Sequence, residues 1–337
     1  MEQDEEKRVV LQNNLDLAIR SVASYVERSD TLMILAPPTV HEDRIHTDTR
    51  RKAFTCYRTW RRRGLCLLEL FACFFSRRKT HAVLLVRSER DTPMYISPHE
   101  SLKLRVGDGE FTCCETNHRG HDGKSFMKCS RHIARDVLKT LIQVKTQDLC
   151  EQNEVVHARW LEVLQHVWIR GLVESPKNEN EESLSLARFK TILHWNSQLD
   201  GDWIDREGVS LLTYAACTNN MSLLCAVLKE IKDNLELIDA RLPKSGFVYV
   251  GIPGSCTALI GAMVLGSCEM VEILLNHGAN PYITDVNKFD PLMCACVYRR
   301  AENVRYWLTR FPEYRINKKR GKFGSKRKSC TCVTFFL

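Results

Sequence analysis

The fold of the C-terminal half is decided by the stretch TALIGAMVLGSCEMVEILLNHGAN, which occupies residues 257–280. Its first part consists of small and apolar residues, and its second part carries apolar residues at helical spacing up to Leu274 and Leu275. Gly266 separates the two parts. Gly278 follows the second part, where a residue in the left-handed conformation commonly ends a helix. The stretch therefore predicts two short helices joined by a turn.

The same pattern recurs on both sides of this stretch. Leu259 and Leu292 hold the same position in successive copies and lie 33 residues apart, and Leu212 holds it 47 residues before Leu259. The longer step predicts an insertion of about 14 residues around residues 242–253, which we expect to form an extended hairpin. Residues 184–199 have the pattern of a helical remnant that caps the stack.

These copies resemble the ankyrin repeat family, which has a period of 33 residues. The likeness is strongest in residues 269–280. The family's Thr-Pro-Leu-His motif corresponds to SLLT at 210–213, TALI at 257–260 and DPLM at 290–293. The resemblance implies a helical repeat solenoid over residues 184–317, and the alternative from the residues alone is an unrelated helical bundle.

The resemblance also implies a function. Solenoids of this type present a concave surface formed by their turns and first helices, and they recognise other molecules without chemistry. We therefore expect a scaffold or adaptor that binds another protein through this concave face. The expected contacts lie at turn tips and inner helix positions: Asp205, Arg206, Tyr214, Asn219, Tyr249, Asn287, Lys288, Phe289, Tyr298, Arg299 and Arg300.

The N-terminal part follows a different pattern. Residues 31–36 and 81–86 are continuous apolar runs, typical of strands buried on both faces of a parallel sheet. Residues 9–28 and 57–76 have helical periodicity. The order helix, strand, helix, strand predicts an α/β layer with a right-handed crossover. The chain as a whole is therefore expected to combine an α/β unit with an all-α repeat domain.

Residues 65–70, LCLLEL, resemble the Trp-Cys…Glu-Leu segment of TIR-type domains. The likeness covers residues 10–90 and implies a partial TIR-like, Rossmannoid unit. It also implies NAD hydrolysis, with Glu69 as the carboxylate that stabilises an oxocarbenium-like transition state. The structural alternative is that Glu69 pairs with Arg62 or Arg63 at the start of its helix. A Gly-rich phosphate loop is missing from this stretch, which favours a scaffold over an enzyme.

Cysteine and histidine residues cluster after the α/β unit. Cys114 and His118 are four residues apart and Cys129 and His132 three apart, which is the ligand spacing of zinc sites. A zinc site formed by these four residues is one interpretation. The other is that the chain holds no cofactor, because adjacent cysteines such as Cys113 and Cys114 are not a usual ligand pair.

The composition is that of an ordinary globular protein of about two domains. The chain has 337 residues, of which 44% are hydrophobic and 27% charged, and its formal net charge is +8. Fifteen cysteines without a signal peptide predict reduced thiols in a cytoplasmic or nuclear protein. We expect no transmembrane segment, because the longest apolar run is about half the length needed.

Shifts in composition divide the chain into segments. In order, these are an incomplete TIR-like unit at 1–110, a Cys/His-containing connector with helices at 111–173, a linker at 174–183, the ankyrin domain at 184–317 and a basic disordered tail at 318–337. The tail is the segment with enough positive charge to attract nucleic acid or acidic lipid. Elsewhere we expect the chain to bind neither.

Overall fold

The computed structural model shows two compact units, Met1–Gln152 with Trp168–Pro176, and Asn153–Val167 with Lys177–Leu337. Both units are mostly helical. The predicted linker at 174–183 lies outside the described residues, so the predicted segment boundaries stay predictions. The structure describes residues 2–40, 54–77, 82–115, 117–118, 129–172, 185–195, 203–232, 234–247, 250–314, 316, 320–323 and 328–330.

The N-terminal unit starts with a long helix and continues through a small sheet to further helices. Its elements are α1 (Glu2–Arg28), β1 (Thr31–Leu35), β2 (Thr39–Val40), β3 (Phe54–Thr55), α2 (Tyr57–Trp60), α3 (Gly64–Phe75), β4 (Ala82–Val86), β5 (Met94–Ile96), 3₁₀ turns at Pro98–Lys103 and Val106–Asp108, α4 (Thr112–Glu115) and α5 (Ser130–Glu151). The helix predicted at 57–76 is divided between α2 and α3. Its backbone is interrupted because Arg63 is extended and bridges to Glu110.

The sheet contains β1 and β4 in parallel, as predicted, and β5 antiparallel to β4. Ile34 of β1 is buried opposite Leu85 of β4. Met33 and Leu35, in contrast, are 56% and 66% exposed. Alternate side chains of a strand point to opposite faces, so β1 has one buried and one exposed face. This corrects the expectation of a strand buried on both faces, because an apolar run does not by itself determine which faces are covered.

Aromatic side chains form the core of the N-terminal unit. The ring centroids of Phe71, Phe74 and Phe75 in α3 lie 6.2, 6.3 and 5.2 Å from that of Trp168. The rings meet edge to face, an arrangement that adds roughly 0.5–1.5 kcal/mol per pair to the burial of apolar area. These contacts fix the position of α3, the helix that carries Glu69.

The C-terminal unit consists of helix pairs and a terminal hairpin. It begins with α6 (Val155–Trp168), whose residues up to Val167 belong to this unit. The elements that follow are α7 (Leu186–Ile192), α8 (Leu211–Thr218), α9 (Met221–Ile231), α10 (Leu235–Ile238), α11 (Ala258–Leu265), α12 (Cys268–Asn276), α13 (Pro291–Val297), α14 (Ala301–Arg310), β6 (Arg320–Phe323) and β7 (Lys328–Cys330). β6 and β7 pair antiparallel, which corrects the prediction of a wholly disordered tail. A basic composition limits burial, but it does not prevent backbone groups from pairing.

Three helix pairs repeat with the periods found in the sequence. The side chains of Ser210, Thr257 and Asp290 cap α8, α11 and α13, and each accepts a hydrogen bond from the backbone N–H three residues later. The caps are separated by 47 and then 33 residues. Two residues before each cap the backbone is left-handed, with φ of 80°, 59° and 63° at Gly208, Ser255 and Lys288 respectively. The structure thus places the three copies in equivalent conformations.

The repeats stack into two layers of helices. α11 packs between α8 and α13 in one layer, and α12 packs between α9 and α14 in the other. Leu212, Leu259 and Leu292 are all buried at equivalent positions of the first layer. Before the first complete repeat, α7 packs against α9, as expected for a capping remnant. This stacking buries faces that a single repeat would leave exposed.

The insertion between the first two repeats is compact. Phe247 and Ile252 exchange backbone hydrogen bonds of 2.8 and 3.1 Å, which closes a tight turn. Phe247 is buried, and its ring centroid lies 5.5 Å from that of Trp160 in α6. The expected extended hairpin is therefore corrected to a loop that folds back onto α6, because its aromatic residue finds an apolar contact there.

Among the described residues, every helix is too short or too polar to cross a lipid bilayer.

Asn303 of α14 connects the second and third repeats, and we expect it to contribute strongly to stability. Its buried side-chain amide donates to the carbonyl oxygens of Met263 at 3.0 Å and Gly266 at 3.1 Å, at the end of α11. Asn303→Ala should lower the free energy of unfolding by about 1–3 kcal/mol, because the carbonyl groups lose their partner while buried. Urea denaturation followed by circular dichroism measures this change. Asn276→Ala is the matched control at an exposed position, with an expected change within about 0.5 kcal/mol. Equal effects of the two substitutions would contradict the assignment.

Candidate protein-binding surface

The turns that precede α8 and α13 have the same hydrogen-bonded geometry. The N–H of Asp205 donates to the carbonyl of Val209, and that of Asp285 donates to Phe289, both at 2.9 Å. Each aspartate carboxylate in turn accepts from the N–H of the same residue at 2.7 Å. Burial raises the pKa of both carboxyl groups. Each aspartate therefore fixes its own turn from the inside. The residues between Asp205 and Val209, and between Asp285 and Phe289, lie at the tips of the turns.

Four of the predicted contact residues lie exposed at turns of the repeats, three of them at the turns just described. Arg206 is at the tip of the first turn, and Asn287 and Lys288 are at the tip of the second. Arg299 lies exposed in the turn between α13 and α14, with φ of 58°. Because neighbouring repeats stack in register, turns of one type follow one another along the same edge of the solenoid.

Exposed apolar side chains accompany these residues and were missed by the sequence prediction. Ile204 is 45%, Val286 48% and Tyr282 63% exposed. The sequence contains a signal for Val286, because the left-handed residue Lys288 and the helix cap Asp290 that follow it determine where the tip of the turn lies. We call the set of Ile204, Arg206, Tyr282, Val286 and Lys288 the tip surface.

Two of the predicted contacts belong to the core. Tyr214 is fully buried, with its ring centroid 4.5 Å from that of Trp160 and its hydroxyl donating to the Asp205 carboxylate at 3.0 Å. Phe289 is 5% exposed. Their burial removes both from the surface available to a partner, because α6 covers the inner side of α8 and Phe289 points into the turn.

Four of the remaining predicted contacts, Asp205, Asn219, Tyr298 and Arg300, are half-buried and hold the repeats in shape. The hydroxyl of Tyr298 donates to the carbonyl of Gly251, and Nε of Arg300 donates to the carbonyl of Val264. Asn219 ends α8 in the left-handed conformation, with φ of 59°. Asp205 belongs to the turn described above, and Tyr249 lies outside the described residues.

Glu69 occupies the middle of α3 in the N-terminal unit. Its side chain is half-buried, and burial raises the pKa of its carboxyl group. Arg62 forms its ion pair with Glu110. Among the ion pairs of the described residues, none includes Glu69. The expected pairing of Glu69 with Arg62 or Arg63 is therefore corrected, because neither pairing is among the ion pairs of the described residues and Arg62 pairs instead with Glu110, which follows the 3₁₀ turn at Val106–Asp108.

Of the predicted zinc ligands, Cys114, His118 and Cys129 come together, and Cys113 joins them. His132 lies three residues beyond Cys129 on α5 and is not part of this group. The structure therefore brings three of the four predicted residues into one cluster. Ligand spacing along the sequence did not reveal Cys113, because this residue joins the group through the turn that brings His118 back to Cys113.

Comparison with protein families supports the repeat assignment. Residues 255–286 match the model of the ankyrin repeat family. The match begins at the left-handed Ser255 and ends at Val286 in the next turn, so that it covers one complete unit with α11 and α12. No curated protein matches the chain.

Tyr214 and Arg206 separate core from surface, and we expect them to differ in their effect on stability. Tyr214→Ala should lower the free energy of unfolding by about 3–5 kcal/mol, since it opens a cavity against Trp160 and removes the hydroxyl that donates to Asp205. Arg206→Ala should change it by less than about 0.5 kcal/mol. Chemical denaturation of the full chain measures both values. If Tyr214→Ala changes the free energy of unfolding only slightly, Tyr214 is not part of the core and is again a candidate for the binding surface.

Proposed function

We propose that the C-terminal half of the chain, which contains an ankyrin repeat, binds another protein through the tip surface. The observation that carries this proposal is the exposure of Ile204, Tyr282 and Val286 on turns that the aspartate network holds rigid. Exposed apolar side chains next to fixed polar ones are typical of interaction sites. The chain would act as a scaffold or adaptor, because recognition at these turns requires no reacting group.

The charge of the tip surface suggests the chemistry of the partner. Arg206 and Lys288 are exposed cations in the equivalent turns of the first and third repeats, and the exposed apolar side chains lie close to them along the chain. A partner segment with acidic and apolar residues would complement both features. Complementary charge accelerates association and excludes wrong partners, while burial of the apolar residues supplies affinity.

Charge reversal of the tip surface should abolish this interaction. The double variant Arg206→Glu, Lys288→Glu changes two exposed cations and leaves every hydrogen bond described above in place. We expect capture of a specific partner by the full-length chain to fall at least tenfold, or about 1.4 kcal/mol or more. Quantitative mass spectrometry of proteins retained by each immobilised variant provides the measurement.

The matched control for this experiment is Lys229→Glu. Lys229 is exposed on the outer helix α9, in the same unit but away from the turns. It should retain the partners of the unchanged chain. If the double variant and the control retain the same proteins in the same amounts, the tip surface is not the binding site.

The TIR-like resemblance suggests a second function, NAD hydrolysis with Glu69. One observation favours it: the parallel strands β1 and β4 are connected through α3, which carries Glu69. The sequence of residues 1–90 argues against it, because a Gly-rich phosphate loop is missing from this stretch.

A direct assay distinguishes the two functions. We expect NAD consumption by the purified chain to remain at the buffer background, and Glu69→Gln to leave that rate unchanged. Measurement of released nicotinamide by chromatography gives the result. A rate well above background that is lost in Glu69→Gln, with unchanged circular dichroism, would establish the enzyme instead.

A further inference from the structure

Three cysteines and one histidine of the N-terminal unit converge on a common point. The potential ligand atoms of Cys113, Cys114, His118 and Cys129 all lie within 4.8 Å of one another. Sγ of Cys114 is close to the other three donor atoms. It lies 3.9 Å from Sγ of Cys113, 3.7 Å from Sγ of Cys129 and 3.7 Å from Nε2 of His118.

These distances fit the edges of a tetrahedron around a zinc ion. With Zn–S bonds of about 2.3 Å and Zn–N bonds of about 2.0–2.1 Å, neighbouring ligand atoms in a tetrahedral site are about 3.6–3.8 Å apart. The three measured separations are 3.7 to 3.9 Å. The donors are therefore arranged around a centre that a zinc ion fits with little movement.

The backbone takes an unusual path to bring His118 to the cysteines. Asn117 and His118 both have left-handed φ values, 50° and 59°. The N–H of His118 donates to the carbonyl of Cys113, which folds the chain back over α4. Left-handed backbone costs energy in residues other than glycine and persists where the surroundings stabilise it. A metal bond to the imidazole supplies such stabilisation.

The amino terminus of α5 favours negative charge at the same place. Cys129 is the residue that precedes this helix, and the N–H of Ser130 points to Sγ of Cys113 at 3.4 Å. Three thiolates around a divalent cation carry one net negative charge. Helix amino termini and hydrogen bonds to sulfur both stabilise thiolate ligands.

We propose that Cys113, Cys114, His118 and Cys129 form a structural zinc site. Four protein ligands close the coordination sphere, so the site has no position for a water or substrate, and its role is to hold the fold. Thiolate and imidazole ligands in a tetrahedral arrangement suit zinc better than magnesium or calcium, which prefer oxygen. The site differs from the spacing-based interpretation in that Cys113 takes the place of His132.

The metal would stabilise contacts that extend to α3. Glu110, just before the zinc-binding turn, exchanges backbone hydrogen bonds with Arg62 and Gly64 at the start of α3. The turn itself reaches α5 through Cys129. A zinc ion would therefore connect the starts of α3 and α5 through a segment of short turns, and would add to the packing of that segment against α3.

A disulfide is the competing explanation. Sγ of Cys114 and Sγ of Cys129 would have to approach from 3.7 Å to a bond length of about 2.05 Å. A disulfide would account for two of the four residues and would give no reason for the position of His118. Zinc accounts for all four.

The test is the metal content of the full chain, purified under reducing conditions. Inductively coupled plasma mass spectrometry should find about one zinc ion per chain, and fewer than about 0.1 in Cys114→Ser. The matched control is Cys150→Ser. Cys150 is exposed on α5 and lies outside the group, so this variant should keep its zinc. His132→Ala should keep zinc as well, because His132 is outside the group. His118→Ala should lose it, and His118→Cys should recover it.

A second measurement uses the unchanged chain, so that it does not depend on the folding of a variant. Removal of zinc with a chelator and addition of cobalt(II) should give the absorption spectrum of tetrahedral cobalt–thiolate coordination. Removal of the metal should also lower the midpoint of thermal unfolding by more than about 4 °C.

Three results would overturn the proposal. The first is a zinc content near zero both as purified and after zinc is added to the reduced chain. The second is retention of zinc by Cys114→Ser. The third is a disulfide between Cys114 and Cys129 in non-reducing peptide mass spectrometry of protein prepared without oxidant. The binding of a partner at the tip surface is measured separately, so its failure or success leaves this outcome unaffected.

Discussion

The close approach of the first helices is the constraint on which the C-terminal unit depends. Ala215, Ala262 and Ala295 stand at equivalent positions of α8, α11 and α13, and all three are fully buried. A Cβ atom at Gly261 would lie 2.8 Å from Sγ of Cys217 in the neighbouring helix. Larger side chains would force the repeats apart and open voids in a core that is packed as densely as a crystal. The stacking of repeats, and with it the placement of every turn, follows from these small residues.

The turns can carry recognition because their geometry is set from within. In the first and third repeats an aspartate carboxylate binds two positions of its own turn, and a left-handed residue leads to the helix cap. The side chains between these points contribute little to the fold. Arg206 and Val286 are therefore free to serve a partner, whereas Tyr214, one helix turn inward, is held by Trp160 and Asp205. Residues that hold the fold and residues available to a partner therefore lie next to each other in the same turn, and not in separate domains.

The sequence predicted the repeat well because its signal is periodic. Leu212, Leu259 and Leu292 had to be equivalent if the family's period applied, and their burial agrees. It predicted individual contacts poorly, because Phe289 and Tyr214 look like surface aromatic residues until the helix that covers them is known. The residues of the proposed zinc site show the same limit. Cys113 and His118 are brought together by two left-handed residues, and that conformation leaves no mark in the sequence apart from an asparagine and a histidine, which tolerate it.

The N-terminal unit faces a problem that stacking cannot solve. The described residues 97–115 contain two 3₁₀ turns and the single turn of α4, which are too short to be stable by themselves. The segment nevertheless has to support the start of α3, where Gly64 lies so near Phe111 that any Cβ would overlap the ring. Such close contact requires a segment with one fixed conformation. Local hydrogen bonds between Glu110 and Arg62 fix one end, and the group of Cys113, Cys114, His118 and Cys129 lies at the other. Repetition orders the C-terminal unit. In the N-terminal unit, a short irregular segment is ordered by its packing against α3 and by the backbone hydrogen bonds of Glu110, and the proposed zinc ligands Cys113 and Cys114 follow directly after it.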